Sequence, residues 1–232
     1  MIGIIGAMEI EVESIKKLLT DTKTEKISGV DFVSGNFGEN RVVVAKCGVG
    51  KVFAALCAEA MILRYNPNVI INTGVAGAIA DDLKIGDIVI ADAVVQHDMD
   101  TSALGDPKGL LSGIDIVDIP ADKNVCKILE NSVKKLGLAC KTGKIASGDQ
   151  FVASRDMKNY IKENFGAVSC EMEGASIGHV CYVNNIPFGV LRAMSDGADG
   201  GANIDFPTFT KMAAENSTNV IKEFLLSFKK GQ

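Results

Sequence analysis

Short runs rich in Val, Ile and Ala, apolar at consecutive rather than alternate positions, recur along the chain and limit what it can fold into. IGIIG (2–6), RVVVAKC (41–47), NVIINTG (68–74), DIVIADAVVQ (87–96) and FGVLRAMS (188–195) are of this kind. A strand with one wet face alternates apolar and polar residues, whereas a strand apolar on both faces must be covered on both. VDFVSGNF (30–37), GKIASG (143–148) and AVSCEM (167–172) complete the predicted strands, with NFGENR a hairpin turn between 30–37 and 41–47. Helical patterns fall near 9–20, 51–65, 122–136, 154–164, 174–184 and 207–229. The alternation predicts a single α/β domain over residues 1–232, built on a mixed sheet.

With 47% apolar and 23% charged residues, the chain can bury a sizeable core. A net charge of −5 and the lack of a Lys/Arg cluster argue against a nucleic-acid or anionic-membrane surface. The N-terminal stretch has no basic region and meets Glu9 and Glu11 at once, so no signal peptide is expected. No segment reaches the roughly 18 uninterrupted apolar residues of a membrane span. The six cysteines, at 47, 57, 126, 140, 170 and 181, form no CxxC pair, and most sit beside Val, Ala or Leu as buried thiols do. With only His97 and His179 available, a Cys/His zinc site is not expected. A reduced, cytoplasmic protein follows.

Several polar residues stand out because each closely follows a predicted strand: Glu11, the Gly74–Gly77 stretch, Asp149, Glu171 with Glu173, and Ser195 with Asp196. Open α/β sheets bind ligands beyond the carboxyl ends of their strands. Five such segments converging on one edge mark a candidate site. In the first helix, Met8, Glu11, Val12, Ile15, Leu18 and Leu19 share one stripe, and Glu9, Glu13, Lys16 and Lys17 share the opposite face. Glu11 thus points inward where a leucine is expected, either reaching water at the stripe's edge or serving as a general base in a dry pocket. In VSCEMEGASIGHV (168–180), Glu171 and Glu173 lie two apart. An extended segment would put them on one face to act together; the alternative is a solvated acidic turn.

The remaining motifs stay open when read singly. CGVGKVFAAL (47–56) fails GxGxxG because Phe53 holds the third glycine position, and no Walker A sequence is present. It reads as close backbone approach to a ligand or as a tight strand–helix turn. Gly74 and Gly77 let backbone amides approach a ligand, or serve packing alone. QHDMD (96–100), with one His and two Asp, reads as a polar loop, and no metal is expected. In RAMSDGADG (192–200), Arg192 and Asp196 flank Ser195 without a histidine nearby, which disfavours a Ser-His-Asp triad. An acid tuned by its pocket and a surface turn are the readings left.

Together, IGIIGAMEIEVE, CGVGKV, INTGVAGA, GDIVIAD, SGDQFV, CEMEGASIGHV, RAMSDGAD and DFPTF (205–209) resemble the 5′-methylthioadenosine/S-adenosylhomocysteine nucleosidase family, within the nucleoside phosphorylase-like superfamily. The resemblance implies a three-layer α/β/α domain with a twisted, partly closed mixed β-sheet, usually a homodimer. It also implies hydrolysis of the bond between adenine and ribose, with no cofactor, in methylthioadenosine and S-adenosylhomocysteine; 5′-deoxyadenosine is a further candidate. On this resemblance Glu11 takes the place of the base that activates water. Asp196, with Ser195 beside it, matches the acid that protonates N7 of adenine. Glu173 matches the carboxylate that holds the ribose hydroxyls, Met172 packs below the sugar, and Glu171 is structural. Phe151 matches the ring stacked on adenine, and the Val152 backbone its purine-edge partner. Met8, Val49 and Phe206 match the apolar wall around ribose and thioether, Gly77 joins the substrate-binding set, and Arg192 helps place Glu11 and the water. The chemistry suits these residue types, since breaking the bond builds positive charge on the ribose that carboxylates stabilise.

Two departures qualify the match. Val75 stands where the family more often has a small hydroxyl residue, which removes one hydrogen bond to the water. The loop TSALGDPKGLLSG (101–113) lacks the aromatic residues that some members contribute to the partner's thio-substituent site, with Leu104 and Leu111 offering apolar contact instead. Rival readings are a phosphorolytic purine nucleoside phosphorylase, a hydrolase of the same fold acting on futalosine or a nucleotide, and a non-catalytic nucleoside sensor. Phosphate needs cationic groups around it, but AMEIEVE is anionic and Asn72-Thr73 stands where an arginine would serve. A sensor need not retain Glu11, Glu173 and Asp196 together.

Overall fold

The computed structural model describes residues 1–197 and 206–228, the first three of the latter by backbone alone. Its strands are β1 (Ile2–Gly6), β2 (Thr20–Ile27), β3 (Val30–Phe37), β4 (Asn40–Lys46), β5 (Val69–Ala78), β6 (Ile88–Gln96), β7 (Ile119–Pro120), β8 (Cys140–Ser147), β9 (Ser169–Glu171) and β10 (Phe188–Asp196). The helices are α1 (Glu9–Lys17), α2 (Lys51–Tyr65), α3 (Lys123–Lys135), α4 (Arg155–Phe165), α5 (Gly174–Val183) and α6 (Phe206–Ser227), with a 3-10 turn at Ser102–Leu104.

One sheet contains all the strands, in the order β2-β3-β4-β1-β5-β9-β8-β6-β10, with β7 added to β6. β10 also pairs with β5, so five strands close on themselves while β1 to β4 extend as an open wing. The sheet is mixed: β1 is parallel to β4 and β5, whereas β9 is antiparallel to β5 and β6 to β10. The predicted mixed, partly closed α/β architecture is therefore what the chain adopts. Every residue of β1 and β10 is buried, as their consecutive apolar positions require. Burying each large aliphatic side chain in these runs contributes about 1.5–3 kcal/mol. Helix α6 packs on β5 and β10 between α1 and α3, and α2 packs against α5.

Several boundaries differ from the sequence reading, each for a tertiary reason. Helix α1 stops at Lys17, and the chain enters β2 where the helix was expected to run on to residue 20. TDTKTEKI has no apolar face to announce a strand, because it pairs only with β3 and its side chains are mostly exposed. Its lysines keep that open edge from recruiting another strand. Strand β5 runs on through Ala78, so Gly74 and Gly77 lie within a strand rather than beyond one. Pairing with β10 as far as Gly77 extends it. Likewise β8 begins at Cys140 rather than 143, paired there to Ile88 of β6. The 37–40 turn forms as expected, with Phe37 opposite Asn40.

Candidate active site

The ends of β1, β4, β5, β8, β9 and β10 surround a cavity of about 230 Å³. Met8, Glu11, Val49, Gly77, Phe151, Val152, Met172, Glu173, Ser195 and Asp196 all line it. Arg192 lies behind the wall, fully buried, and the Phe206 side chain lies outside the described residues. Asp149 sits at the helix α2 terminus rather than in the wall. Ala7, Val75, Ala76, Gln150 and Cys170 complete the lining with Glu171. Val75 and Ala76 fall in the Gly74–Gly77 stretch that the sequence singles out, whereas Ala7, Gln150 and Cys170, single residues beside strand ends, carry no distinguishing sequence signal. Burial raises the pKa of the Cys170 thiol and keeps it neutral.

Glu11 is buried, as its place on the apolar stripe of α1 requires. It occupies the third position of the helix, where a carboxylate can close a capping box. Its Oε2 accepts the amides of Ala7 at 2.7 Å and Met8 at 2.8 Å, and Oε1 accepts the Val75 amide at 3.1 Å. A carboxylate has about four lone-pair directions, so three backbone donors leave one acceptor direction on Oε1. Burial raises the Glu11 pKa, against the Arg192 charge and the three amides that favour the anion. A group so placed is held rigidly and is more basic than a solvated glutamate.

Glu171 and Glu173 have separate surroundings. The strand stops at Glu171, and Glu173 is the N-cap residue of α5, so the simple alternation expected of an extended segment is broken. Glu171 accepts the amide of Glu173 at 3.0 Å and that of Gly174 at 2.9 and 2.8 Å on its two oxygens. It also accepts Ser147 Oγ and Arg192 Nη2 in short contacts. Its acceptor directions are filled inside the protein. Glu173 instead has Oε1 on the Gly50 amide at 2.9 Å and Oε2 3.7 Å from Arg192, while facing the cavity. Burial and the Glu171 charge push its pKa up to about 7.

Arg192 Nη2 also donates to Asn72 Oδ1, whose own amide group holds the Ile5 carbonyl at 2.9 Å. Neither Asn72 nor Ser147 was anticipated as part of this assembly, although a polar residue inside an otherwise apolar strand was the available signal. The guanidinium passes over Gly74, where a Cβ would lie 2.1 Å from Nη1 and 2.5 Å from Glu11 Oε1. Only glycine leaves room for both groups. Removing one partner of a buried ion pair leaves the other charge uncompensated, at about 3–5 kcal/mol. Glu171→Gln is therefore expected to lose stability of that order yet, per folded molecule, to keep more activity than Glu173→Gln. Denaturant titration combined with active-fraction kinetics checks this; a reversed activity order would exchange the roles of the two carboxylates.

Asp196 closes β10 after a register shift between Met194 and Asp196, which turns the strand end toward the cavity. Ser195 Oγ donates to Asp196 Oδ2 at 2.9 Å, with the Ala76 carbonyl a longer alternative at 3.4 Å. Phe151 presents a half-exposed ring at the opening, and Val152 behind it is buried. The cavity thus combines a flat aromatic side, apolar lining and four carboxylates in different surroundings, of which Glu171 is saturated by donors inside the protein. Such an arrangement suits binding of an aromatic base and a polyol, with proton transfer at two separated points.

Residues 1–226 match the family described as the phosphorylase superfamily. A 5′-methylthioadenosine/S-adenosylhomocysteine nucleosidase of Haemophilus influenzae (strain PittEE) is 40% identical over 225 residues, covering 97% of this chain and 98% of its own. Among solved structures, the S-adenosylhomocysteine nucleosidase of Streptococcus pyogenes in complex with 5-methylthiotubericidin superposes with a TM-score of 0.94 at 36% identity, covering 99% of this chain and 97% of that one. The native futalosine hydrolase of Helicobacter pylori strain 26695 also gives 0.94, at 35% identity, covering 98% of this chain and 97% of that one.

Proposed function

The chain belongs to the phosphorylase superfamily and, within it, to the 5′-methylthioadenosine/S-adenosylhomocysteine nucleosidase family; from that premise we propose that it hydrolyses the adenine–ribose bond of these two thio-nucleosides. The observation that carries the reading is that Glu11, Glu173 and Asp196 line one cavity in three distinct environments. In this reading the free acceptor direction of Glu11 takes a proton from water as it attacks the anomeric carbon. Glu173 accepts the ribose hydroxyls and faces the developing positive charge. Asp196 delivers a proton to N7 of the departing adenine, with Phe151 stacked on the ring and Val152 at its edge. Met8, Val49, Met172, Gly77 and Phe206 would complete the sugar and thioether side, while Ser195 orients the acid.

Arg192 pairs with Glu171 and Asn72, so its influence on Glu11 is that of a nearby charge rather than a direct ligand. Val75 contributes its backbone amide to Glu11, and its side chain offers no hydroxyl to the water. No Lys or Arg is among the described residues lining the cavity. That favours water over phosphate as the acceptor, because an anionic wall repels phosphate. Comparing kcat/KM for methylthioadenosine, S-adenosylhomocysteine, 5′-deoxyadenosine and futalosine tests the substrate class. Preference for futalosine would move the chain to the second reading that its structural likeness supports.

The pH dependence follows from the carboxylates. Glu11 and Glu173 act as anions, and burial raises both above the ordinary glutamate value of about 4.3. Lowering the pH protonates them and removes both acceptors. The acid limb of kcat/KM is thus expected well above the usual glutamate range, nearer neutrality. A profile flat down to that range would contradict their assigned ionisation.

We further infer a cytoplasmic homodimer that works as a single domain in methionine salvage. Free cysteines suit a reducing compartment, and Val52, Phe53 and Leu63 of α2 with Val183 of α5 expose apolar side chains that a second copy can cover. Sedimentation of the protein reads the dimer directly.

A further inference from the structure

The first turn of α2 contacts both Glu173 and Asp149, the residue that leads into Gln150, Phe151 and Val152 of the cavity wall. Its N-cap residue, Gly50, has no side chain to cap the helix, and two carboxylates from distant parts of the chain serve instead. Glu173 Oε1 accepts the Gly50 amide at 2.9 Å, and Asp149 Oδ1 accepts the Lys51 amide at 2.7 Å. Both gain from the positive end of the helix. A Cβ on Gly50, whose φ is +100°, would lie 3.0 Å from Asp149 Oδ1, so the close approach depends on glycine.

The same contacts close into a circuit. Lys51 Nζ donates to Asp98 Oδ1 at 2.7 Å, and Asp98 Oδ2 accepts the Asp149 amide at 2.9 Å. Asp149 then returns to the Lys51 backbone. Nζ also reaches Gln96 Oε1 at 3.2 Å, and Ser176 Oγ donates to the Lys51 carbonyl at 2.7 Å. One lysine therefore joins the end of β6, the start of α5 and the segment leading into Gln150, Phe151 and Val152. It does this without lining the cavity.

We propose that Lys51 is a positioning residue: through Asp98 and Asp149 it holds the 150–152 segment against the purine, and its own helix turn presents the Gly50 amide to Glu173. The proposal rests on the nucleosidase reading and adds a residue that touches no substrate. The Lys51–Asp98 pair is partly exposed, at 19% and 30%, so its effect comes from closing the circuit more than from bare charge attraction. A neutral, isosteric stem opens the circuit at its only cation and frees the base-side segment.

Lys51→Met and Asp98→Asn open the circuit at the Lys51–Asp98 ion pair, each from one side. For each full-length variant, kcat and KM for methylthioadenosine and the Kd of adenine by calorimetry are compared with wild type. A roughly tenfold rise in KM and a similar loss of adenine affinity are expected in both variants, with kcat falling less than KM rises. A residue that only stabilised the fold would lower the melting temperature and the active fraction without moving KM or the adenine Kd. Unchanged KM and adenine affinity in the folded variants, beside an active wild type, overturn the positioning role alone. A wild-type protein that neither binds adenine nor cleaves methylthioadenosine overturns the nucleosidase reading, and the positioning role with it.

Discussion

Glu11→Gln is expected to lower kcat by ~10²–10⁴ while the protein stays folded and still binds nucleoside, because the amide cannot take a proton from water. Its carbonyl can retain the Ala7 and Met8 amides, but its NH₂ group would then face the Val75 amide, donor against donor. One unsatisfied buried donor costs about 1–3 kcal/mol. Relief from burying a charge opposes that loss, since burial already disfavours the Glu11 anion. Arg192 keeps Glu171 and Asn72 as partners in the variant, so the core charge stays paired. Single-turnover rates at saturating methylthioadenosine isolate the chemical step. A near-normal rate there would remove Glu11 from the mechanism.

Asp196→Asn should be nearly as damaging, again on the order of 10²–10⁴ in rate, with binding far less affected. The Asn carbonyl can still accept the Ser195 hydroxyl, and its NH₂ can donate a hydrogen bond to N7. What it cannot do is hand over a proton as the bond to adenine breaks. An analogue of the substrate with carbon in place of N7 makes the complementary test: it should bind wild type and resist cleavage. Equal cleavage of methylthioadenosine by the Asn variant and wild type under chemistry-limited conditions would exclude Asp196 as the acid.

Much of the fold was legible because burial on both faces leaves runs of consecutive apolar residues, and β1, β5, β6 and β10 are such runs. Strand β2 was not, since TDTKTEKI is specified by the backbone edge of β3 rather than by any apolar pattern of its own. At the site, Glu11 was readable as a carboxylate on an apolar stripe, a local signal that burial turns into geometry. The division of labour between Glu171 and Glu173 could not come from spacing. It depends on where β9 stops and α5 starts, and on an arginine about twenty residues further on that only the fold brings near. QHDMD shows the same limit: Gln96 and Asp98 hold Lys51, and His97 is buried where a Gly148 Cβ would lie 2.4 Å from its Nε2. Polar loops acquire such roles from partners tens of residues away.

The most direct test of glycosidic hydrolysis uses the wild-type protein, methylthioadenosine and ¹⁸O-labelled water, with and without inorganic phosphate, followed by mass analysis of the sugar. Activation of water by Glu11 requires free methylthioribose carrying the label at the anomeric oxygen, formed at the same rate whether or not phosphate is present. A sugar phosphate formed only when phosphate is added would contradict it, and would make the chain a phosphorylase.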